Sequence, residues 1–326
     1  MQFNQIFRLV ATVATLTVFQ AAAQPYPDRP IRVIGPLAAG GIADVVMRAT
    51  GQELTKRLGQ PVLVENRVGA SGIIAAEACA HSAPDGYTLC ILYSDITSFN
   101  PLLMSKLPYD PDRDFDPIVH LINLTTGIIA PASLPVNSVA ELQALARAKP
   151  GSLNFGSVGT GSEPHHFLEW LNQLWGVKVV HVPYKGGTPV GQALLAGEVQ
   201  FTWLGLGNFM GQIRGGKLKV LAVSGTERSA LLPQVPTLSV SEVGLGDYTF
   251  RPWFGLAAPA GTPKPILTRL NAEIVDIYKD PKFREQQLIS QGNVPAAGSI
   301  EEFATFLKED RERAARLIKI SKVRSE

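Results

Sequence analysis

Short apolar runs alternate with stretches of helical periodicity along most of the chain. Residues 31–35, 62–65 and 87–93 read as strands. Between them 44–58 and 73–80 read as helices, the first with Val45, Met47, Leu54 and Leu58 as its apolar positions. The second half repeats the habit: a strand at 153–155, a helix through Phe167 and Leu171, and a strand at 179–182. A helix at 187–196 and strands at 200–203 and 220–223 follow. Strands separated by helices of this length predict βαβ units, and so an α/β protein with mainly parallel sheets flanked by helices. Helix starts are signposted by Ser138-x-x-Glu141 and Ser299-x-x-Glu302, which fit capping boxes. Thr262-Pro263 and Asp280-Pro281 fit an N-cap followed by proline. The last helix, from Ile300, spaces Phe303, Phe306, Leu307, Leu317 and Ile318 along one face, which predicts packing onto its own domain.

Two glycine-rich turns interrupt this pattern where a strand gives way to a helix: Leu37-Ala38-Ala39-Gly40-Gly41 and Gly156-Ser157-Val158-Gly159-Thr160-Gly161-Ser162. A helix start leaves backbone N–H groups without partners, and the helix dipole favours an anion there. The small residues let a ligand approach the backbone, and Ser94, Thr97, Ser157, Thr160 and Ser162 add hydroxyls at strand ends. In open α/β sheets, ligands lie outside the carboxyl ends of the strands, where these turns fall. The rival reading is that the glycines only permit tight turns.

Composition narrows the classes. Thirty Lys and Arg against 28 Asp and Glu give a net charge of +2, with no basic stripe, so nothing points to nucleic acid. Residues 1–23 carry Arg8, an apolar core from Leu9 to Phe19, and Ala21-Ala22-Ala23 as a cleavage site. They read as a signal peptide, and the mature chain starts near Gln24. Export permits a disulfide between Cys79 and Cys90 but does not require one. The favoured reading of both is a buried free thiol.

Enzyme-like patterns are incomplete. The residue two before Ser157 is Phe155 and the residue two before Ser162 is Thr160, so neither serine sits in G-x-S-x-G. The second turn lacks a P-loop lysine, and no G-x-G-x-x-G opens the first helix. His165 and His166 are adjacent, about 100° apart on a helix, and cannot ligate one ion together. Asp44, Asp95 and Glu163 lie near the predicted cleft turns, yet Asp44 and Glu163 are explained equally well as first-turn acids. No cofactor, metal or catalytic constellation is expected.

The ordered motifs carry a resemblance. Tyr26-Pro27-Asp28-Arg29-Pro30-Ile31, Gly40-Gly41-x-x-Asp44 and Leu58-Gly59-Gln60-Pro61-Val62-x-Val64-Glu65-Asn66-Arg67 come first. Pro84-Asp85-Gly86-Tyr87-Thr88-Leu89, Asn100-Pro101, Leu107-Pro108-Tyr109-Asp110 and Gly159-x-Gly161-Ser162 follow. His181-Val182-Pro183-Tyr184-Lys185-Gly186, Leu232-Pro233-x-Val235-Pro236-Thr237 and Ala258-Pro259-Ala260-Gly261-Thr262-Pro263 complete the series. In this order they resemble the Bug-type extracytoplasmic solute receptors, the substrate-binding proteins of tripartite tricarboxylate transporters, over essentially the whole mature chain.

The resemblance implies a two-lobed periplasmic binding protein of type II, with 24–123 and 232–326 as one lobe and 124–231 as the other. It implies a non-enzymatic receptor whose partners are a small carboxylate and the membrane permease subunits. Carried over, the family's carboxylate site places Ala38, Ala39, Gly40, Gly41 and Asp44 on one side of the cleft, to which the reading of the turns and strand ends adds Leu37 and Ser94. Ser157, Thr160, Gly161, Ser162 and His165 face them. Two departures bear on the ligand: the first turn lacks the family's aromatic residue, and 202–208 lacks an acidic residue often found there. With Trp203, Asn208, Phe209, Phe250, Trp253 and Arg251 nearby, an aromatic or mainly apolar carboxylate is expected, with Arg251 as a second anchor. A chemosensor without its own permease and a hydrolase or lyase in the same cleft are the alternatives.

Overall fold

The computed structural model describes residues 26–240, 244–245, 248 and 250–322; the expected signal peptide at 1–23 lies outside them. Eleven strands are formed: β1 (Ile31–Gly35), β2 (Val62–Asn66), β3 (Thr88–Leu92), β4 (Phe115–Leu124), β5 (Thr126–Pro131) and β6 (Asn154–Ser157). They continue with β7 (Val180–Pro183), β8 (Phe201–Gly205), β9 (Leu218–Val223), β10 (Trp253–Pro259) and β11 (Asn293–Pro295). They build two sheets, in the orders β11-β4-β10-β3-β1-β2 and β7-β6-β8-β5-β9.

Both sheets are mixed, not mainly parallel. β1 pairs in parallel with β2 and β3, and β6 with β7 and β8; these are the strands joined through helices. A parallel neighbour needs a crossover of a dozen or more residues, which the helices between these strands supply. β10 runs antiparallel to β3 and β4, as β5 does to β8 and β9. The alternation of strand and helix does not reveal β4, β5, β10 or β11. β4 and β5 follow each other with only Thr125 between them, so the chain steps from one sheet into the other there.

Each sheet buries its own core. Ile31, Val33, Leu89 and Leu256 belong to the first; Phe155, Phe167, Phe201 and Trp203 belong to the second. The C-terminal helix Ile300–Ser321 serves both. Phe303 packs into the first core, with Phe306 and Leu307 against it, whereas Ala314 and Leu317 pack into the second, with Ile318 beside them. The expected packing onto a single domain therefore becomes a brace across the two.

Local signals held to differing degrees. The Ser299 capping box is complete, and Asp280 accepts from Phe283 N at 2.7 Å. Ser138 caps Glu141 N at 3.1 Å, but the Glu141 carboxylate reaches Asn137 N instead of closing the box. Thr262 is no cap: its hydroxyl donates to Pro259 O, and the helix Lys264–Lys279 starts two residues later. In the first helix, Ile42–Leu58, Val45 is 44% exposed and Val46 takes the inward position, because Val46 falls on the i, i+4 row of buried Thr50, Leu54 and Leu58. Cys79 and Cys90, expected as free thiols, form a disulfide. The helix Ile73–Ala80 lies on β3 with their Cα atoms 6.0 Å apart, inside the range a disulfide spans.

Candidate functional site

The first glycine turn leaves β1 and enters the helix Ile42–Leu58, and Gly40 turns it at φ +77°, a conformation that favours glycine. Three of its amides are taken. Ala38 N donates to Lys185 O at 3.2 Å, Gly40 N to Asp44 Oδ2 at 3.0 Å, and Gly41 N to Ala38 O at 3.3 Å. Ile42 N donates to Asn208 Oδ1 at 3.1 Å, and Thr188 Oγ1 donates to Ala39 O at 3.2 Å. Lys185, Thr188 and Asn208 come from the segments after β7 and β8, so this turn is fastened to the opposite sheet. Asp44 is a brace and not a cleft acid. Burial pushes its carboxyl up, but hydrogen bonds from Arg48, at 2.8 Å in the ion pair, and from Gly40 outweigh this and hold it below its usual value.

The second turn, between β6 and the helix Glu163–Trp175, is also closed on itself. Gly159 N donates to Ser157 Oγ at 3.1 Å, and Ser162 Oγ donates to Gly159 O at 2.6 Å. Gly161 N donates to His165 Nδ1 at 3.0 Å. Ser157 Oγ lies 2.5 Å from His181 Nε2, and the His181 ring stacks on His165 at 3.9 Å. Burial lowers both imidazoles, His181 to about 3, so both are neutral at pH 7. His181 was missed by sequence reasoning, since its contact with Ser157 arises from strand register. The pair resembles a nucleophile with its base, yet Ser157 and Ser162 are fully buried and their hydroxyls are spent within the turn. Thr160 is exposed, and its carbonyl accepts from Ser71 Oγ at 2.8 Å, a second tie across the cleft.

Two cavities lie between these turns. The outer one, of 740 Å³, is lined by Leu37, Ser71, Tyr93, Asn100, Thr160, Gly161, Tyr184 and Lys185 among others. The inner one, of 60 Å³, is lined by Leu37, Gly41, Ser94, Asp95, Thr126, Glu163, Asn208 and Trp253 among others. Leu37, Tyr93 and Val158 belong to both walls, so the two spaces adjoin. Leu37, Gly41, Ser94, Thr160, Gly161 and Asn208 are thus brought to the cleft as expected. Ala38, Ala39, Gly40 and Asp44 fasten its edge, and Ser157, Ser162 and His165 stand behind the second turn. Trp203 is fully buried one layer back, stacked on Phe167 at 4.5 Å, and donates from Nε1 to Glu163 Oε1 at 3.1 Å. Arg251 lines neither cavity. It is exposed at a separate surface groove of 610 Å³ beside Arg228 and Arg284, and so does not provide the second anchor expected of it.

The inner cavity is acidic. Asp95 Oδ1 accepts from Glu163 N at 3.2 Å, placing a carboxylate of one lobe on the helix N-terminus of the other. Glu163 also accepts from the Tyr248 hydroxyl. Burial is the main cause that raises both carboxyls, Asp95 to about 7 and Glu163 to about 8. Thr126 carried no sequence signal because β5 itself was not legible. Asp95 and Glu163 were visible as acids near the turns, but nothing local showed that they meet.

A cleft between two α/β sheets, reached from strand ends and fastened across its mouth, defines a two-lobed periplasmic binding protein. The chain matches the model described as tripartite tricarboxylate transporter family receptor over residues 46–323, and it belongs to that family. Among solved structures it is similar to a Rhodopseudomonas palustris protein, Rpa4515, with adipate: TM-score 0.87, 31% identity, covering 92% of this chain and 99% of that one. It is similar to the periplasmic binding protein BugD at TM-score 0.86 and 31% identity, covering 92% of this chain and 100% of that one. MatC from the same Rhodopseudomonas species, with bound malate, gives TM-score 0.83 and 32% identity, covering 90% and 100%.

Proposed function

We propose that the protein is an exported receptor that captures a small carboxylate-bearing solute between its lobes and delivers it to the membrane subunits of a tripartite tricarboxylate transporter. The observation that carries this reading is the pair of adjoining cavities between the lobes, with both glycine turns fastened across the mouth by Ala38–Lys185, Ile42–Asn208 and Ser71–Thr160 contacts. Closure of this kind makes occupancy legible to a membrane partner as a change of shape. The adipate and malate in the neighbouring structures support a carboxylate as the class of solute. The lobes divide at 123–124 and near 232, and export removes 1–23.

Binding without turnover separates the receptor from a hydrolase. Saturable thermal stabilisation and calorimetric binding are expected with one or a few members of a panel of mono-, di- and aminocarboxylates, each recovered unchanged. A panel with no binder, or chemical conversion of the bound compound, would overturn the reading. Deleting the receptor gene or the permease genes is expected to abolish uptake of the same solute. Uptake that survives loss of the permease, with a signalling response to the solute, would favour the chemosensor instead.

A further inference from the structure

Part of the polar wall of the inner cavity is left unpaired. Asp95 Oδ2 and Thr126 Oγ1 are buried without a hydrogen-bond partner at normal distance, and both residues line the same 60 Å³ space; the Tyr93 hydroxyl faces Asp95, and the Trp253 indole is turned towards Asp310. Asp95 is 1% exposed and Glu163 4%. Among the described residues, neither carboxylate has an ion-pair partner from Lys, Arg or His. An unpaired buried carboxylate is costly, and the cost is removed by a counter-charge that donates hydrogen bonds. A carboxylate inserted here would meet two acidic groups; an ammonium would meet two acceptors. The Thr126 O–H is a donor on the same wall, suited to an acceptor on the same solute. The space exceeds the roughly 10–15 Å³ needed for one water, so it holds a head group, and a longer solute extends past Leu37 and Tyr93 into the outer cavity.

From the juxtaposition of Asp95 and Glu163, neither with a cationic partner, beside the unpaired Thr126 hydroxyl, we infer that the inner cavity is an ammonium subsite and that the solute is an aminocarboxylate. This rests on the receptor reading and narrows it. It also replaces an aromatic carboxylate anchored by Arg251.

Matched probe pairs test it by calorimetry on the full mature chain: succinate against aspartate, butyrate against 4-aminobutyrate, and benzoate against 4-(aminomethyl)benzoate. In at least one pair the amino member is expected to bind about tenfold tighter or more, as charge-assisted hydrogen bonds allow. Asp95→Asn is expected to erase that preference while still binding the plain member. Glu163→Gln should weaken the preference in the same direction, and circular dichroism would verify that both variants fold. If plain members bind as tightly as their amino partners, or if the preference survives both substitutions, the ammonium subsite is wrong while the receptor reading stands. If no member of any pair binds, both fall.

Discussion

The glycine turns and the inner cavity present opposite states of polar chemistry. Ala38, Gly40, Gly41, Ile42, Gly159 and Gly161 all donate their amides to protein acceptors. Further in, Asp95 and Thr126 keep buried polar atoms without partners. Buried polar groups in folded proteins are nearly all paired, so the unpaired set marks where a solute or water is to be received. The turns that look most like a binding site are spent on holding the lobes together, and the unspent groups are what they enclose.

The comparison can be broken in several ways. Trp203→Ala should have the largest effect, because it removes a fully buried ring stacked on Phe167 and a donor to Glu163. A loss of about 3–5 kcal/mol in denaturant unfolding is expected. A change confined to ligand affinity would mean that Trp203 belongs to the cavity wall after all.

Asp95→Asn should act in the other direction in the ligand-free protein. Burial holds the proton on this carboxyl up to about 7, against 3.8 in the unfolded chain, so between those values the fold binds more protons than the unfolded state. Stability of the parent therefore falls as pH rises through that window and levels off above about 7. Asparagine does not titrate. The variant should match the parent near pH 4 and melt progressively higher than it towards pH 7, on the order of 1 kcal/mol or more. Melting curves with a pH-independent difference would show that Asp95 is charged in the fold throughout.

Ser157→Ala comes next. It leaves His181 Nε2 and Gly159 N without their shared partner, which should cost about 1–3 kcal/mol in stability and leave solute affinity within a few-fold. Loss of a measurable hydrolytic activity in this variant would restore the enzyme reading. Arg251→Ala is expected to do least. Away from both cavities, it should change neither affinity nor stability by more than about 0.5 kcal/mol. A tenfold loss of affinity would bring Arg251 back as an anchor.

Much of this was legible beforehand, and unevenly so. Strands β1, β2, β3, β6, β7, β8 and β9 and the helices between them carry local periodicity, and the cap at Ser299 is written within four residues. β4, β5 and β10 have no such period, because each lies inside its sheet and is buried on both faces along most of its length. Their absence from the sequence reading hid Thr126 and the neighbours of Trp253. Asp44, legible as a first-turn acid, did behave as one; Asp95 and Glu163, 68 residues apart, could not be paired from spacing alone.

The sequence by itself determined which segments become strands and helices, where the turns need glycine, and the family to which the chain belongs. These depend on a residue and its near neighbours. Tertiary structure alone decided which amides stay free, which histidine meets Ser157, and which two acids share a cavity. Pairing of a donor with an acceptor depends on three-dimensional distance, and across the cleft that distance is set by how two separately folded sheets come to face each other.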